Sequence, residues 1–312
     1  MLEKSRIKKS RIFISFLFLF ILLSNFSVSS QNRTQEIIIP QDTTKLHPDR
    51  TERVVSSLFR PDKELIADSI IKEFDDAPAF GIFKDNYIVI GTDLFNKPDR
   101  NNSDAKFQIS VRQRLTNSIL PFKTYLFLTY SQLAYWDIFK ESFPFRDINF
   151  NPTVGIGKPL VYNNRYLGDL AFQLEHESNG KDSISSRSWN KVSLYGMFKI
   201  TSHWSYFTKF WVPIVDGENN KDLVLYKGYG ISAVNYNQKN KYNISLILNH
   251  RAGGLGNANI IVNAAYRLFK DDNQYLFFEF YNGYGEELLN YKQFHQRFRL
   301  GFVIKPNFSF IY

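Results

Sequence analysis

Residues 172–192, which read FQLEHESNGKDSISSRSWNKV, carry side chains whose types and spacing suit the hydrolysis of an ester. Side chains alternate between the two faces of a strand, so His176 and Ser178 share one face. A hairpin symmetric about Ser183 sets Asn190 opposite His176 and Ser188 opposite Ser178, with opposed Cβ atoms about 5 Å apart. A serine beside a histidine that a third polar group orients is the nucleophile–base–orienter arrangement of acyl transfer. The alternative is a hairpin tip with ordinary polar residues.

The face that carries these polar residues is otherwise apolar. Phe172 and Leu174 lie on it in the first strand, and Val192, Leu194 and Phe198 continue it in the second strand. If this face contacts lipid, as the pattern described next indicates, a polar side chain on it is energetically costly. Its presence there favours a functional role over the ordinary hairpin tip.

Strict alternation of apolar and polar residues extends from about residue 80 to the C-terminus. In one segment Phe298, Leu300 and Phe302 share a face opposite Arg297 and Arg299. A soluble sandwich would bury such apolar faces against each other, whereas a membrane barrel turns them to lipid and keeps charged residues in its lumen. The length of the segments, about ten residues, also favours the barrel.

The pattern therefore predicts an all-β fold, a 12-stranded antiparallel transmembrane β-barrel. A closed barrel pairs every backbone donor without water, and a single-chain barrel has an even number of strands. The predicted strands are 81–92, 105–116, 122–137, 147–160, 166–178, 187–200, 203–214, 226–237, 240–250, 258–269, 273–284 and 294–312.

Composition excludes several other classes of protein. The absence of cysteine excludes disulfides, thiolate zinc sites and a cysteine nucleophile. The mean hydropathy of −0.30 is too polar for a bundle of transmembrane helices. An aromatic content of 17% is typical of an outer-membrane barrel.

The N-terminus has the features of a secretory signal peptide. Its basic residues are Lys4, Arg6, Lys8, Lys9 and Arg11. An apolar run over 12–23 and small residues before Gln31 complete the signal. Cleavage would remove these five basic residues and Glu3, which lowers the net charge from +9 to +5. The basic excess is therefore mainly a targeting feature, and no nucleic-acid partner is predicted.

Three regions follow from these patterns. Residues 1–30 are the predicted signal peptide, and 31–78 a polar periplasmic N-terminal segment with one weak helical pattern around 62–74. Residues 79–312 are the predicted barrel with the active site, located in the cell outer membrane. The chain ends with Phe308, Phe310 and Tyr312 on one face, which resembles the recognition signal of bacterial outer-membrane proteins.

The central motif resembles the signature of the outer membrane phospholipase A family, in which His-x-Ser-Asn-Gly is followed by Ser-Arg-Ser-Trp-Asn at this spacing. Further landmarks of that family occur in order at 85–87, 91–92, 105–108, 130–133, 142–146 and 281–286. The resemblance covers about residues 65–312. It implies a 12-stranded barrel whose membrane-facing site hydrolyses acyl esters of phospholipids and lysophospholipids, depends on calcium and is active as a homodimer.

The resemblance also implies roles for individual residues. Ser178 would be the nucleophile, His176 the general base and Asn190 the residue that orients the base. The backbone amide of Ser178 would supply part of an oxyanion hole, with help from a calcium-bound water.

Calcium prefers hard oxygen ligands. The family pattern points to the hydroxyl of Ser186, the backbone carbonyl of Lys181 and the hydroxyl of Ser142 from the second subunit. A further ligand, acidic in the family, aligns with Asn219. Gln132 matches a polar residue within the dimer interface, and a lumen-facing glutamine is the alternative.

Three positions depart from the family pattern. Lys181 replaces an arginine, which matters little if only its carbonyl binds the metal. Asn219 stands where an acidic ligand is expected, so Asp216, Glu218 or Asp222 is a candidate to replace it. Ser183 stands where relatives have aspartate, with Asp182 one position earlier, so the sequence does not predict the alternative calcium site that the family has in its monomer.

Two other function classes fit part of the sequence. A catalytically inactive structural or pore-forming barrel would show the same alternation and signal peptide, but it has no need of Ser178, His176 and Asn190 on its lipid face. A soluble lipase would place its serine in a Gly-x-Ser-x-Gly turn between a strand and a helix, whereas Ser178 lies in Glu-Ser-Asn-Gly on a strand.

Overall fold

The computed structural model describes residues 67–312 except 164, 216, 239–240, 255, 270–272 and 307–312. The predicted signal peptide, the polar segment up to residue 66 and the terminal aromatic residues therefore lie outside the described residues. In the part of the chain that is described, no helix is long and apolar enough to cross a membrane.

The described elements are mostly strands. They are α1 Ala67–Asp76, β1 Phe80–Ile82, β2 Asn86–Asp93, β3 Ser103–Arg114, β4 Tyr125–Trp136, β5 Phe145–Tyr162, β6 Arg165–Ser178, β7 Ser188–Lys199, β8 Trp204–Ile214, α2 Leu223–Lys227, β9 Gly230–Gln238, β10 Tyr242–His250, β11 Ala258–Arg267, β12 Gln274–Gly283 and β13 His295–Ile304. Each strand from β2 to β13 pairs antiparallel with the next, and β13 pairs with β2. The predicted closed 12-stranded antiparallel barrel is confirmed.

Among the described residues most predicted strands match the observed ones to within three residues, and two show larger differences. The strand predicted at 81–92 is interrupted, because β1 and β2 both pair with β3 on either side of residues 83–85. At the interruption Asn86 Oδ1 accepts from the Ser110 amide at 2.6 Å, and Gln108 Nε2 donates to the Asp85 carbonyl at 2.7 Å. The strand predicted from residue 226 begins only at Gly230, because the residues before it form α2.

The two faces of the wall have the predicted polarity. Phe172, Leu174 and Leu194 point outward and are exposed by 46%, 50% and 57% in the isolated chain. Arg297 and Arg299 point inward and are buried. An exposed apolar outer face and a charged lumen are the arrangement that a bilayer stabilises.

A network of buried charges fills the lumen. Arg299 contacts Asp104 at 3.0 Å and Glu279 at 3.1 Å, and Lys106 contacts Glu279 at 2.9 Å and Glu286 at 3.3 Å. Buried charges are tolerated when each has a partner of opposite sign. Glu286 belongs to the β12–β13 loop, so these ion pairs hold that loop inside the barrel.

Helix α1 packs against the inner wall at the end of the barrel opposite to the β12–β13 loop. Its side chains Ile70 and Phe74 are fully buried in a cluster with Tyr125 and Tyr166. The Arg114 guanidinium donates to carbonyls at the C-terminal end of the helix, which lack partners within it. The helical pattern expected around 62–74 therefore corresponds to a docked helix at 67–76.

Candidate active site

The β6–β7 hairpin has the register that its symmetry predicts. His176 pairs with Asn190 and Ser178 pairs with Ser188. His176, Ser178 and Asn190 have the same outward parity as Leu174, so they lie together on the apolar outer face. The three residues stand at the end of the hairpin nearest its loop, 179–187.

A hydrogen bond joins the histidine to the asparagine. Nδ1 of His176 donates to Oδ1 of Asn190 at 2.8 Å. An amide oxygen only accepts hydrogen bonds, so Nδ1 carries a proton, and in the neutral ring Nε2 then presents its lone pair. The ring thus has the tautomer that a general base needs. Asn151 fixes the same strand from the other side, because its Nδ2 donates to the His176 carbonyl at 2.8 Å.

Ser178 is the last residue of β6 and lies two residues beyond His176 on the same face. Two residues of strand span about 6.6 Å, which two side chains that lean toward each other can bridge. Within the described residues the Ser178 hydroxyl makes no hydrogen bond to the histidine ring. Such bonds are often long without bound substrate and shorten in the reactive complex.

The hairpin loop is held by Asn179, which was not among the predicted site residues. Asn179 is buried, and its Oδ1 accepts from the Arg187 amide at 2.9 Å while its Nδ2 donates to the Ser185 carbonyl at 2.9 Å. Gly180 follows with φ +63°, and a Cβ there would lie 2.9 Å from the Phe150 ring. The Asn-Gly pair, which favours tight turns, was the available signal.

The candidate calcium ligands occupy three loops. Lys181 and Ser186 lie on the β6–β7 loop, Ser142 lies on the β4–β5 loop and Asn219 on the β8–β9 loop. Asn219 reaches the β6–β7 loop, since its Nδ2 donates to the Ser183 carbonyl at 2.8 Å. Hydroxyl, carbonyl and amide oxygens form a donor set that fits calcium. Within the described residues no group of three or more His, Asp or Glu is placed to hold a metal ion.

The acidic alternatives to Asn219 differ in their surroundings. Asp222 is engaged by Lys292 at 2.6 Å and by the Tyr291 hydroxyl. Although desolvation opposes it, hydrogen bonds from these two residues hold the pKa of the Asp222 carboxyl below its ordinary value. Glu218 is exposed beside Asn219, and Asp216 lies outside the described residues.

A groove on the barrel wall reaches the site. It has a volume of about 620 Å³, and its lining includes Leu128, Val154 and Leu174 together with His176 and Asn190. The outward-pointing lining side chains other than this polar pair are mostly apolar. The groove offers an apolar channel beside the candidate base.

Comparison with known proteins identifies the family. The family model described as Phospholipase A1 matches residues 84–304. The chain belongs to the phospholipase A1 family. Among curated relatives, Phospholipase A1 of Proteus vulgaris is 28% identical over 77% of this chain and 86% of its own length. Phospholipase A1 of Escherichia coli K12 is 28% identical over 66% of this chain and 71% of its own length.

Solved structures show the same fold. Outer membrane phospholipase A from Escherichia coli matches with a TM-score of 0.65 and 24% identity, over 73% of this chain and 94% of that chain. The Salmonella typhi outer membrane phospholipase, described as a dimer with bound calcium, matches with a TM-score of 0.64 and 25% identity, over 73% and 92% of the two chains.

Membership of the phospholipase A1 family confirms that the chain is a phospholipase enzyme of the outer membrane, as the sequence predicted.

The structure decides between the two alternatives for Gln132. This residue pairs with outward-facing Ile109, and its Oε1 accepts from the Tyr130 hydroxyl at 3.0 Å on the outer face. The lumen-facing alternative is therefore wrong.

Proposed function

We propose that the protein is a calcium-dependent phospholipase that hydrolyses acyl ester bonds of phospholipids and lysophospholipids with Ser178, His176 and Asn190. The observation that carries the proposal is the 2.8 Å hydrogen bond between His176 Nδ1 and Asn190 Oδ1 beside an outward serine. Three polar residues placed together on a lipid-facing surface are costly unless they act on lipid. The protein reaches the outer membrane after its signal peptide is cleaved.

Acylation follows from the tautomer of the histidine. As Ser178 Oγ attacks the acyl carbonyl, Nε2 of His176 takes the hydroxyl proton, and the Asn190 oxygen stabilises the resulting imidazolium through Nδ1–H. The backbone amide of Ser178 donates to the oxygen that becomes negative. The imidazolium then returns its proton to the departing alcohol oxygen, which leaves as a lysolipid or, from a lysolipid, as a glycerophosphodiester.

Deacylation repeats the same steps with water. His176 takes a proton from a water molecule, whose oxygen attacks the acyl-serine carbonyl. The released fatty acid leaves with that oxygen, and the proton returns to Ser178. Asn190, being neutral, stabilises the imidazolium less than an aspartate would, and the apolar outer face disfavours a full carboxylate charge.

Calcium fits the oxygens that surround the hairpin loop. Ser186, the Lys181 carbonyl, Asn219 and the partner's Ser142 would hold it, and when bound it offsets the negative charge that develops on the ester oxygen. The Salmonella typhi relative, described as a dimer with bound calcium, supports this proposal. A ligand contributed by a second subunit makes calcium affinity depend on the homodimer.

Hydrolysis of a phospholipid in detergent micelles tests the proposed function. The purified, folded protein should release fatty acid in the presence of calcium, lose that activity with excess chelator and regain it when calcium is restored. A folded protein that releases no fatty acid under these conditions would refute the enzymatic proposal. Activity that persists in chelator would refute the calcium dependence while leaving Ser178 and His176 in place.

A further inference from the structure

We propose that Lys227 and Glu177 are positioning residues for hydrolysis: their ion pair braces the catalytic strand against helix α2 from inside the barrel. This inference rests on the proposed function. We call residues 219–227 of the β8–β9 loop the brace.

Glu177 lies between the candidate base and nucleophile but points to the opposite face of β6. Its carboxylate accepts from Lys191 Nζ at 2.9 Å, from Lys227 Nζ at 2.9 Å and from the Trp189 indole Nε1 at 2.9 Å. Lys191 and Trp189 are the two residues that flank Asn190 on β7. The Glu177 carboxylate thus binds both β7 residues next to Asn190, which is the hydrogen-bond partner of His176.

Lys227 extends this linkage to a different part of the barrel. It is the last residue of α2 and lies 50 residues from Glu177 in sequence. Its Cγ lies 2.9 Å from the position that a Cβ on Gly285 would take, so the lysine stem passes directly over the β12–β13 loop. Both Lys227 and Glu177 are almost buried, with side-chain exposures of 13% and 12%. A charge pair with so little contact to water is weakly screened and holds its geometry well.

The remainder of the brace is anchored firmly enough to position the strand. Leu223 and Val224 are buried in an apolar cluster with Trp189, Trp211 and Tyr291. The Trp211 indole donates to the Gly228 carbonyl at 2.9 Å, directly after α2. This anchoring makes α2 a fixed support and not a mobile loop segment.

The other end of the brace contacts the backbone of the hairpin loop. Asn220 is fully buried, and its Nδ2 donates to the Ser188 carbonyl at 2.8 Å while its Oδ1 accepts from the Ser188 amide at 3.4 Å. Asn219 Nδ2 donates to the Ser183 carbonyl at 2.8 Å. The brace therefore holds the loop that carries the candidate calcium ligands and, through Glu177, the strand that carries the catalytic pair.

The contact between Lys227 and Glu177 is not needed to keep the barrel folded. Without Lys227, Glu177 still has Lys191 and Trp189 as partners, so the barrel has no buried unpaired charge. What is lost is the connection between β6 and α2. A displacement of about 1 Å at a reacting group costs up to about 100-fold in rate, so a small shift of the strand is enough to affect kcat.

The variant Lys227→Met tests the proposal, because methionine keeps most of the length of the side chain and removes the charge. We expect kcat for micellar phospholipid to fall about tenfold, the calcium concentration for half-maximal activity to rise, and KM to change less than twofold. Lys227→Arg keeps the positive charge and should retain the wild-type kcat. The matched control is Lys305→Met, directly after β13, which breaks the 2.6 Å ion pair with Asp85 between β1 and β2 and should leave kcat unchanged.

A second measurement does not depend on turnover. In protein labelled with ¹⁵N-histidine, the His176 Nδ1 signal should be that of one protonated, hydrogen-bonded nitrogen, and it should broaden or shift in Lys227→Met but not in Lys305→Met. If Lys227→Met does not fold, the double variant Glu177→Gln/Lys227→Met, which removes one charge of each sign, is measured in its place.

The outcomes separate this inference from the proposed function. A wild-type protein that hydrolyses no phospholipid refutes the proposed function. The histidine spectra still test whether the brace positions His176. Unchanged kcat together with an unchanged His176 signal in Lys227→Met overturns the brace. Equal losses in Lys227→Met and Lys305→Met also overturn it, because they indicate a general loss of stability.

Discussion

Replacing Asn190 by alanine removes the hydrogen bond that orients the proposed base. The Asn190 side chain is half-buried on the outer face and does not point into the lumen, so its truncation should leave the barrel intact. His176 keeps its place on β6, but its ring loses the acceptor that holds the proton on Nδ1. We therefore expect a catalytic loss without a folding defect.

The size of the loss follows from the change of charge on the ring. In the resting enzyme the 2.8 Å bond joins two neutral groups and contributes about 1 kcal/mol. In the transition state the ring is an imidazolium, and hydrogen bonds to charged groups contribute about 1.5–3 kcal/mol. Only the difference between the two states, about 0.5–2 kcal/mol, lowers kcat. Because about 1.4 kcal/mol is a factor of ten, Asn190→Ala should lower kcat about 2-fold to about 30-fold. His176→Ala removes the base itself and should cost more, up to about 10⁴-fold.

The assay measures kcat and KM for phospholipid hydrolysis in micelles with saturating calcium. Heat-modifiable migration on a gel confirms that each variant is a folded barrel. Asn101→Ala, at an exposed position of the β2–β3 loop, is the matched asparagine control and should retain wild-type kcat. Equal losses for Asn190→Ala and His176→Ala, with both variants folded, would show that Asn190 does more than orient the ring. A wild-type rate in Asn190→Ala would refute the orienting role altogether.

Three further predictions follow from the site and the fold. Ser178→Ala should abolish phospholipid hydrolysis and leave barrel assembly unchanged, since its hydroxyl fills no cavity; substantial activity in the folded variant would contradict its role as nucleophile. Ser186→Ala and Ser142→Ala should each raise the calcium concentration for half-maximal activity, and wild-type activity should rise with enzyme concentration in dilute micelles; a calcium requirement that neither substitution changes would argue against these ligands. Phe74→Ala should weaken the docking of α1 by about 3–5 kcal/mol, seen as faster proteolysis within 67–78 than in the exposed control Lys72→Ala; equal cleavage rates would mean that the buried ring does not hold the helix.

Several features were predictable because they depend on local order in the sequence. The period-two alternation determines which side chains face lipid, since neighbouring residues of a strand must point to opposite faces. The nine-residue loop between Ser178 and Ser188 sets the hairpin register, so the pairing of His176 with Asn190 was predictable. The motif around these residues also carried the resemblance to the family.

The contacts between distant segments inside the barrel could not be predicted from the sequence and are seen only in the tertiary structure. The interruption at residues 83–85 arises from side-chain hydrogen bonds of Gln108 and Asn86 across two strands, which no local pattern signals. The last two residues of α2 were predicted as the start of the strand at 226–237, because a short apolar and basic segment fits either structure. The burial of Leu223 and Val224 against Trp189 and Trp211 is visible only in the folded barrel. The docked position of α1 likewise depends on barrel residues far along the chain.

The spacing of residues was enough to predict the barrel, the polarity of its faces and the polar residues of the candidate site, because each depends on order within one strand or one hairpin. What lies beneath that site could be seen only in the folded barrel. Glu177 and Lys227 are 50 residues apart, and nothing in the order of residues between them selects one partner for another. Closure of the barrel brings β6 and the β8–β9 loop around a common lumen, and burial there requires that each charge find an opposite charge.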